Sequence, residues 1–268
     1  GNPIMHHIAL GIDPTPLGQA PFTLATNRAV VAPAADLDLD LPYARCYAGP
    51  CIAGHVGADT AAAILAERPD ADERVQLLVD VGTNAEIVLG SADRLYAASS
   101  PTGPAFEGAQ ISAGQRATVG AIEGVRIDHA TFEPRLKVIG VDVWSDEPGF
   151  AEAVAATGVS GLCGSGIIDV VAEMYLAGVI DSQGVIRGEL ATATPRVIAD
   201  GRTYSYVVWG DGDDRIAVTQ NDVRAIQLAK AALRAGIDLL AEHAGNPPVA
   251  EIKLAGAFGA HIDPLRAM

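Results

Sequence analysis

A chain of 268 residues with a formal net charge of −15 is long enough to bury a sizeable core, as one large domain or two smaller ones. Its acids are scattered from Asp13 to Asp263, so it repels both a nucleic-acid backbone and an anionic bilayer, and neither is expected as a partner. Hydrophobic residues make up 49 %, many of them Ala, and aromatics only 5 %, which suits an α/β protein with closely packed helices; no apolar run approaches the ~18 residues of a membrane span and no charged-then-apolar leader opens the chain, so a soluble, cytoplasmic protein is expected.

Residues 3–10 read as a short helix stopped by Gly11 and the Pro14/Pro16 pair. This helix has neither a preceding strand nor a cap, as if the chain were a piece of something longer. His6 and His7 are adjacent and splay apart on a helix, which favours packing or exposure over metal ligation. Residues 14–50, rich in Pro, Ala and Asp, read as irregular connection. Cys46 and Cys51 have the gap that opens a plant-type ferredoxin motif, but the third ligand would fall on Gly54. With Cys163 they are too few and too unevenly placed for a disulfide framework. Residues 58–68 have helical composition.

From Leu77 the pattern changes to short strands. Residues 77–81, 86–89 and 94–98 predict an antiparallel meander, and 119–127 and 136–143 add strands. Residues 165–177 predict a helix, because Ile167, Ile168, Val171, Met174 and Tyr175 recur at three- and four-residue steps and Gly178 follows as the stop. Strand-like runs such as "YSYVVW" and "RIAV" occupy 180–218. Thr219 then caps a long helix, with Asp222 three positions on in the place of a capping box. That helix runs to about His243 with Val223, Ile226, Leu233, Ile237 and Leu240 as its apolar stripe. After Gly245, Pro247 and Pro248, "EIKLAG" predicts a buried strand leading into the helix start "AFGAHID".

Four stretches carry chemistry. In "LLVDVGTNAEIVLG" a carboxylate, Asp80, ends a buried strand, where it is costly without a partner. Gly82 lets a ligand approach the backbone, the turn's N–H groups can form an anion nest, Thr83 and Asn84 add donors, and Asp80 can hold Mg2+. An ordinary turn with an Asx bond is the alternative. In "GLCGSGIID", Gly161, Gly164 and Gly166 surround Ser165 and open into a helix, which suits an anion at the helix start or, equally, a close helix–strand crossing. Cys163 reads as packing. In "KLAGAFGAHID", Gly256 and Gly259, with Ala257 and Phe258 between them, allow a flat ligand to lie on the backbone or simply make a tight turn. "PTGPAFEGAQIS" is a rigid loop from Gly103 whose acid, Glu107, orients water or a metal, or is merely solvated. Lys230 borders the stripe of the long helix, from which a lysine ordinarily snorkels outward unless a phosphate lies in reach.

The order of these stretches resembles the second lobe of the actin, sugar-kinase and Hsp70 superfamily of ATPases, an actin-like ATPase (ribonuclease H-like) fold. More narrowly, "GNPIMHHIALGIDPTPLGQAPF", "HVGADTAAAIL", "LLVDVGTNAEIVL", "SSPTGPAFEGAQIS", "GLCGSGIID", "QNDVRAIQLAKAALRAGI" and "LAGAFGAHID" are together similar to the C-terminal region of the reductive activators of corrinoid-dependent enzymes. The resemblance implies an ATP-binding part, with residues 1–76 the remnant of a first lobe and its crossover and 77–268 a second lobe. It implies Asp80 and Glu107 as catalytic, with Asp80 on Mg2+. Gly82, Thr83, Asn84, Gly103, Gly164, Ser165, Gly166 and Lys230 would surround the phosphates, and Gly256, Ala257, Phe258 and Gly259 the nucleoside. It further implies a corrinoid methyl-transfer protein as partner, dimerisation, and a 2Fe-2S cluster only in an N-terminal ferredoxin domain that these residues do not include.

This sequence departs from that pattern in places. The family's earlier acidic phosphate loop has no match before Asp80, Ala85 stands where the family usually has Gly, and Ala257 replaces the second of two glycines, narrowing the adenine shelf. Two rival readings remain at this level: a small-molecule kinase of the same superfamily, and a non-catalytic docking module.

Overall fold

The structure, a computed structural model, describes residues 3–259 and 262–267. In chain order its first elements are α1 (Pro3–Ala9), β1 (Val30–Pro33), β2 (Arg45–Ala48), α2 (Ala58–Glu67), β3 (Gln76–Val81), β4 (Ala85–Gly90) and β5 (Leu95–Ser100). There follow β6 (Ala121–Ile127), β7 (Pro134–Val138), α3 (Phe150–Thr157), β8 (Gly161–Leu162) and α4 (Gly164–Leu176). The remainder comprises β9 (Val197–Asp200), β10 (Thr203–Trp209), β11 (Ile216–Thr219), α5 (Gln220–His243), β12 (Glu251–Ala255) and two short helical turns, α6 (Gly256–Gly259) and α7 (Pro264–Ala267). They gather into two compact units, each assembled from separated stretches of chain.

The first unit takes Gly1–Asp80, Ala85–Ser100 and Arg234–Ala255. Its sheet has the order β12-β3-β4-β5, with β12 parallel to β3 and β4 antiparallel to β5. Leu77, Leu78, Val79, Ile87, Val88 and Leu89 are all 4 % exposed or less, so consecutive residues are covered and neither strand shows the alternation of a half-solvated sheet. The last part of α5 lies so near this sheet that a Cβ on Gly236 would stand 2.9 Å from Ser100 Cβ and 3.0 Å from Ile87 Cδ1. The strands expected at 77–98 are therefore present, and β12 joins them from far along the chain.

Two expectations need correction in this unit. The "EIKLAG" strand forms but is not buried. Among the described residues it is an edge strand with a hydrogen-bonded neighbour only at β3, and Ile252 is 60 % exposed. Residues 14–50 are not irregular throughout, because β1 and β2 pair antiparallel from Val30–Ala48 to Pro33–Arg45. Their connection is long and contains a 3-10 turn at Ala34–Leu37, so it lacks the two-residue turn that marks a hairpin in sequence.

The second unit takes Val81–Asn84, Pro101–Leu233 and Gly256–Met268. It contains two three-stranded sheets, β7-β6-β8 and β11-β10-β9. Helix α4 packs on β6, and Ile167, Val170, Met174, Ile122 and Val125, each 1 % exposed or less, form the core at that crossing. The crossing is close because Gly166 has no side chain: a Cβ there would stand 2.2 Å from the Ile122 carbonyl oxygen. Helix α5 begins as its sequence predicts. Asp222 N–H donates to Thr219 Oγ1 (3.2 Å) while Thr219 N–H donates to Asp222 Oδ2 (2.8 Å), a reciprocal cap.

Candidate functional site

The corner after β3 is built from Gly82, Thr83 and Asn84, the last two exposed. Its carbonyls are held by the loop that follows β5. Thr102 Oγ1 donates to the Gly82 and Thr83 oxygens (2.9 and 3.1 Å), and Gly103 N–H donates to the Thr83 oxygen (2.9 Å). Gly103 sits at φ +74°, a left-handed conformation that favours glycine. Thr83 Oγ1 then donates to Glu107 Oε1 at 2.7 Å, joining the two acid-bearing motifs. A Cβ on Gly82 would lie 3.6 Å from the same carboxylate oxygen, so corner and acid share one small space.

The segment Pro104–Glu107 packs against α4, whose start carries the second glycine motif. There the side chain is already committed: Ser165 Oγ donates to the Glu123 carbonyl at 2.8 Å and lies 3.4 Å from Cys163 Sγ. Gly164, Ser165 and Gly166 are all buried. The close-crossing alternative for these glycines is thus realised at Gly166. What the helix start has left to offer an anion is its first-turn N–H groups and dipole, not the Ser165 hydroxyl proton.

Lys230 is exposed on α5. Gly256 opens α6 at φ +87°, a further left-handed position, and the buried Gly259 accepts a bond from Ile262 N–H (3.3 Å). The side chains of Ala257 and Phe258, named for the nucleoside, lie outside the described residues.

Asp80 belongs to the first unit and is half-buried there. Beside it stand Asp59, from the first turn of α2, and Glu86, from β4; one carboxylate oxygen from each lies within 4.8 Å of the others. Glu86 is only 7 % exposed. Burial pushes its carboxyl above the ordinary range and the Asp80 charge adds to this, against the Ser99 hydroxyl that donates to it at 3.2 Å. Three hard oxygen donors so close together repel one another and fit a divalent cation such as Mg2+. Sequence reasoning found Asp80 and missed the other two. Glu86 had a signal, an acid inside an otherwise apolar strand; Asp59 had none, since only the fold brings α2 to this point.

Two further clusters in the second unit were also missed. Ser112 is tied to the buried Asp222 (2.8 Å). Arg126 bridges Asp169 (2.6 Å) and Asp263 (2.9 Å), while Arg266 reaches Glu173 (2.7 Å). The three surface hollows described lie elsewhere, around Arg196 and Trp209, around Arg74 and Lys253, and around Phe22 and Thr26, and none is lined by a sequence-predicted site residue.

The acid-bearing corner, the glycine-started helix and the mixed sheets are those of an actin-like ATPase domain. Residues 74–268 match the family model described as the C-terminal domain of RACo, the ASKHA domain, and residues 1–71 match the RACo middle region. The chain belongs to this family of reductive activators of corrinoid-dependent enzymes. It is 37 % identical to the corrinoid activation enzyme RamQ of Eubacterium limosum, over 98 % of this chain and 43 % of that protein. It is 29 % identical to the Co(II) methylated amine-specific corrinoid protein reductase of Methanosarcina barkeri, over 80 % of this chain and 37 % of that one. A solved reductive activator for a corrinoid, iron-sulfur protein superposes with a TM-score of 0.84 at 30 % identity, over 100 % of this chain and 41 % of its own. The chain spans less than half the length of each of these relatives.

Proposed function

We propose that this chain is the ATP-binding part of an activator that returns an inactive cob(II)alamin in a corrinoid methyl-transfer protein to cob(I)alamin. Asp80, with Asp59 and Glu86 beside it, holds Mg2+. Gly82, Thr83 and Asn84, with Gly103 and the Gly164–Ser165–Gly166 helix start, meet the phosphates, and Lys230 adds a cation. Gly256 to Gly259 take the nucleoside, and Glu107 orients the attacking water. In this reading the catalysis of phosphoryl transfer is positional and electrostatic. Residues 1–76 are the remnant of a first lobe and 77–268 the second lobe, a division supported by the two family matches meeting between residues 71 and 74. The protein works in the cytoplasm, as a homodimer.

The observation that carries this reading is the Thr83–Glu107 hydrogen bond, because it joins two motifs that the resemblance assigns to one cleft. The electron comes from a 2Fe-2S cluster outside these residues, since the chain has three cysteines and such a cluster takes four thiolates. The test uses the intact protein. Isothermal calorimetry with Mg·ATP should give saturable heat, and with ATP and a reductant the absorbance of a corrinoid protein should move from the cob(II) to the cob(I) form. A folded sample giving no heat leaves only protein docking. ATP turnover that phosphorylates an added metabolite and leaves the corrinoid unchanged would identify a kinase instead.

A further inference from the structure

Glu107 is exposed, so its carboxylate stays in one place only if the backbone beneath it is fixed. The chain fixes it with a closed loop. After Glu107 the backbone turns on Gly108, at φ +85°, and returns to touch itself at Gly114. A Cβ on Gly114 would stand 2.1 Å from the Gly108 carbonyl oxygen, and one on Gly108 would stand 2.9 Å from Gln115 N, so neither position accepts a side chain. Bonds from Gly108 N–H to Ala105, Ile111 N–H to Gly108 and Gly114 N–H to Ile111 (3.1, 3.3 and 2.9 Å) stiffen the loop from within. Its far end joins β8, where Gln115 N–H donates to Leu162 and Leu162 N–H to Ala113 (2.9 and 2.8 Å).

Between these ends the loop is anchored once more. Ser112 donates both its N–H and its hydroxyl to Asp222 Oδ1, at 2.8 and 3.1 Å. Asp222 is 2 % exposed, and its other oxygen accepts the Thr219 N–H that caps α5. Capping a helix requires only the Thr219 half of this arrangement. The Ser112 half does nothing for the helix; it spends a buried carboxylate oxygen, among the stronger acceptors in a protein, on the loop that carries Glu107.

We infer that Asp222, acting through Ser112, is a positioning residue for Glu107. This inference rests on the catalytic reading of Glu107 given above. Asp222 is itself buried and acts through its bonds to Ser112. It ties the start of α5 to the 108–114 loop so that Glu107 meets Thr83, and whatever the corner holds, in one geometry.

The test is steady-state ATP hydrolysis by the intact protein. Asp222→Asn turns an amide N–H₂ toward one of the donors, and kcat should fall about tenfold with KM for Mg·ATP nearly unchanged. Ser112→Ala leaves the helix cap whole and should lower kcat about threefold, so it decides the matter if Asp222→Asn folds poorly. Thr219→Ala is the control: it removes the hydroxyl that accepts Asp222 N–H, and should lower the melting temperature without changing kcat. In a Glu107→Gln background, Ser112→Ala should cause no further loss, which general destabilisation would not reproduce. Wild-type kcat in Ser112→Ala, or losses that simply multiply with those of Glu107→Gln, would overturn the inference. Wild-type turnover in Glu107→Gln would overturn the reading of Glu107 itself, and this inference with it.

Discussion

Thr83 and Glu107 are separated by 24 positions, yet their side chains meet at 2.7 Å, and each had been marked in the sequence for a different reason. Thr83 lay in an acid-glycine turn and Glu107 in a rigid loop; that they act on each other could not be read there, because no local pattern records that a loop 24 positions on returns to the corner. Thr83→Val keeps the shape and removes the donor that holds the Glu107 carboxylate. ATP hydrolysis by the intact protein should therefore fall about tenfold or more, measured as phosphate release, with little change in melting temperature because Thr83 is exposed. Glu86 makes a different prediction. Its carboxyl in the folded chain titrates above the ordinary value of 4.5, so the folded state binds the proton more tightly than the unfolded state. Keeping Glu86 ionised thus costs stability above the raised value, and that cost disappears as the pH falls through it toward 4.5. In metal-free buffer Glu86→Gln should melt above wild type at alkaline pH, with the gap closing on acidification. Added Mg2+ should raise the melting temperature of wild type more than that of the variant.

Among the elements, α4 starts at the glycine motif that the sequence marks as a helix start. Its glycines had two readings, anion site and close crossing, and the crossing is directly visible at Gly166 against the Ile122 carbonyl. Gly166→Ala should destabilise by about 1–3 kcal/mol or more, because the opposing atom is backbone and cannot rotate away; the loss would appear in circular-dichroism melts. The sheet β11-β10-β9 is tied to the 128–133 loop by Tyr206, fully buried, whose hydroxyl donates to the Phe132 carbonyl at 2.8 Å. Burial pushes the pKa of this phenol well above its ordinary value, so it stays protonated and remains a donor. Tyr206→Phe leaves that carbonyl without its donor and should cost about 1–3 kcal/mol, read as a lower denaturation midpoint in urea with an unchanged slope. The hairpin β1–β2 was missed because Pro- and Asp-rich composition spoke for loop, and its long connection lacks a two-residue turn.

For the molecule as a whole, charge and cysteine content set the terms. A net charge of −15 disfavours polyanionic partners, and no helix among the described residues is long and apolar enough to cross a membrane. Expressed by themselves, these 268 residues should purify without iron or acid-labile sulfide, because three cysteines cannot supply four thiolates. Iron bound in stoichiometric amount, by elemental analysis of the purified chain, would contradict the proposed separation of ATP binding from electron transfer.

The sequence by itself determined the local elements and the kind of protein. Periodicity marked α4 and α5, Thr219 and Asp222 marked a cap that forms as written, and the ordered set of glycine and acid motifs carried the family resemblance. These signals are legible because helix periods, caps and turns are made by residues a few positions apart. Tertiary structure alone decided which distant groups share a space: Asp59 beside Asp80, Ser112 on Asp222, Thr83 on Glu107. It also decided that β12 would be an exposed edge rather than a buried strand. The physical reason is common to all four. A carboxylate's partners and a strand's neighbours are set by chain crossings tens to hundreds of residues apart, and no local pattern records which two segments will cross.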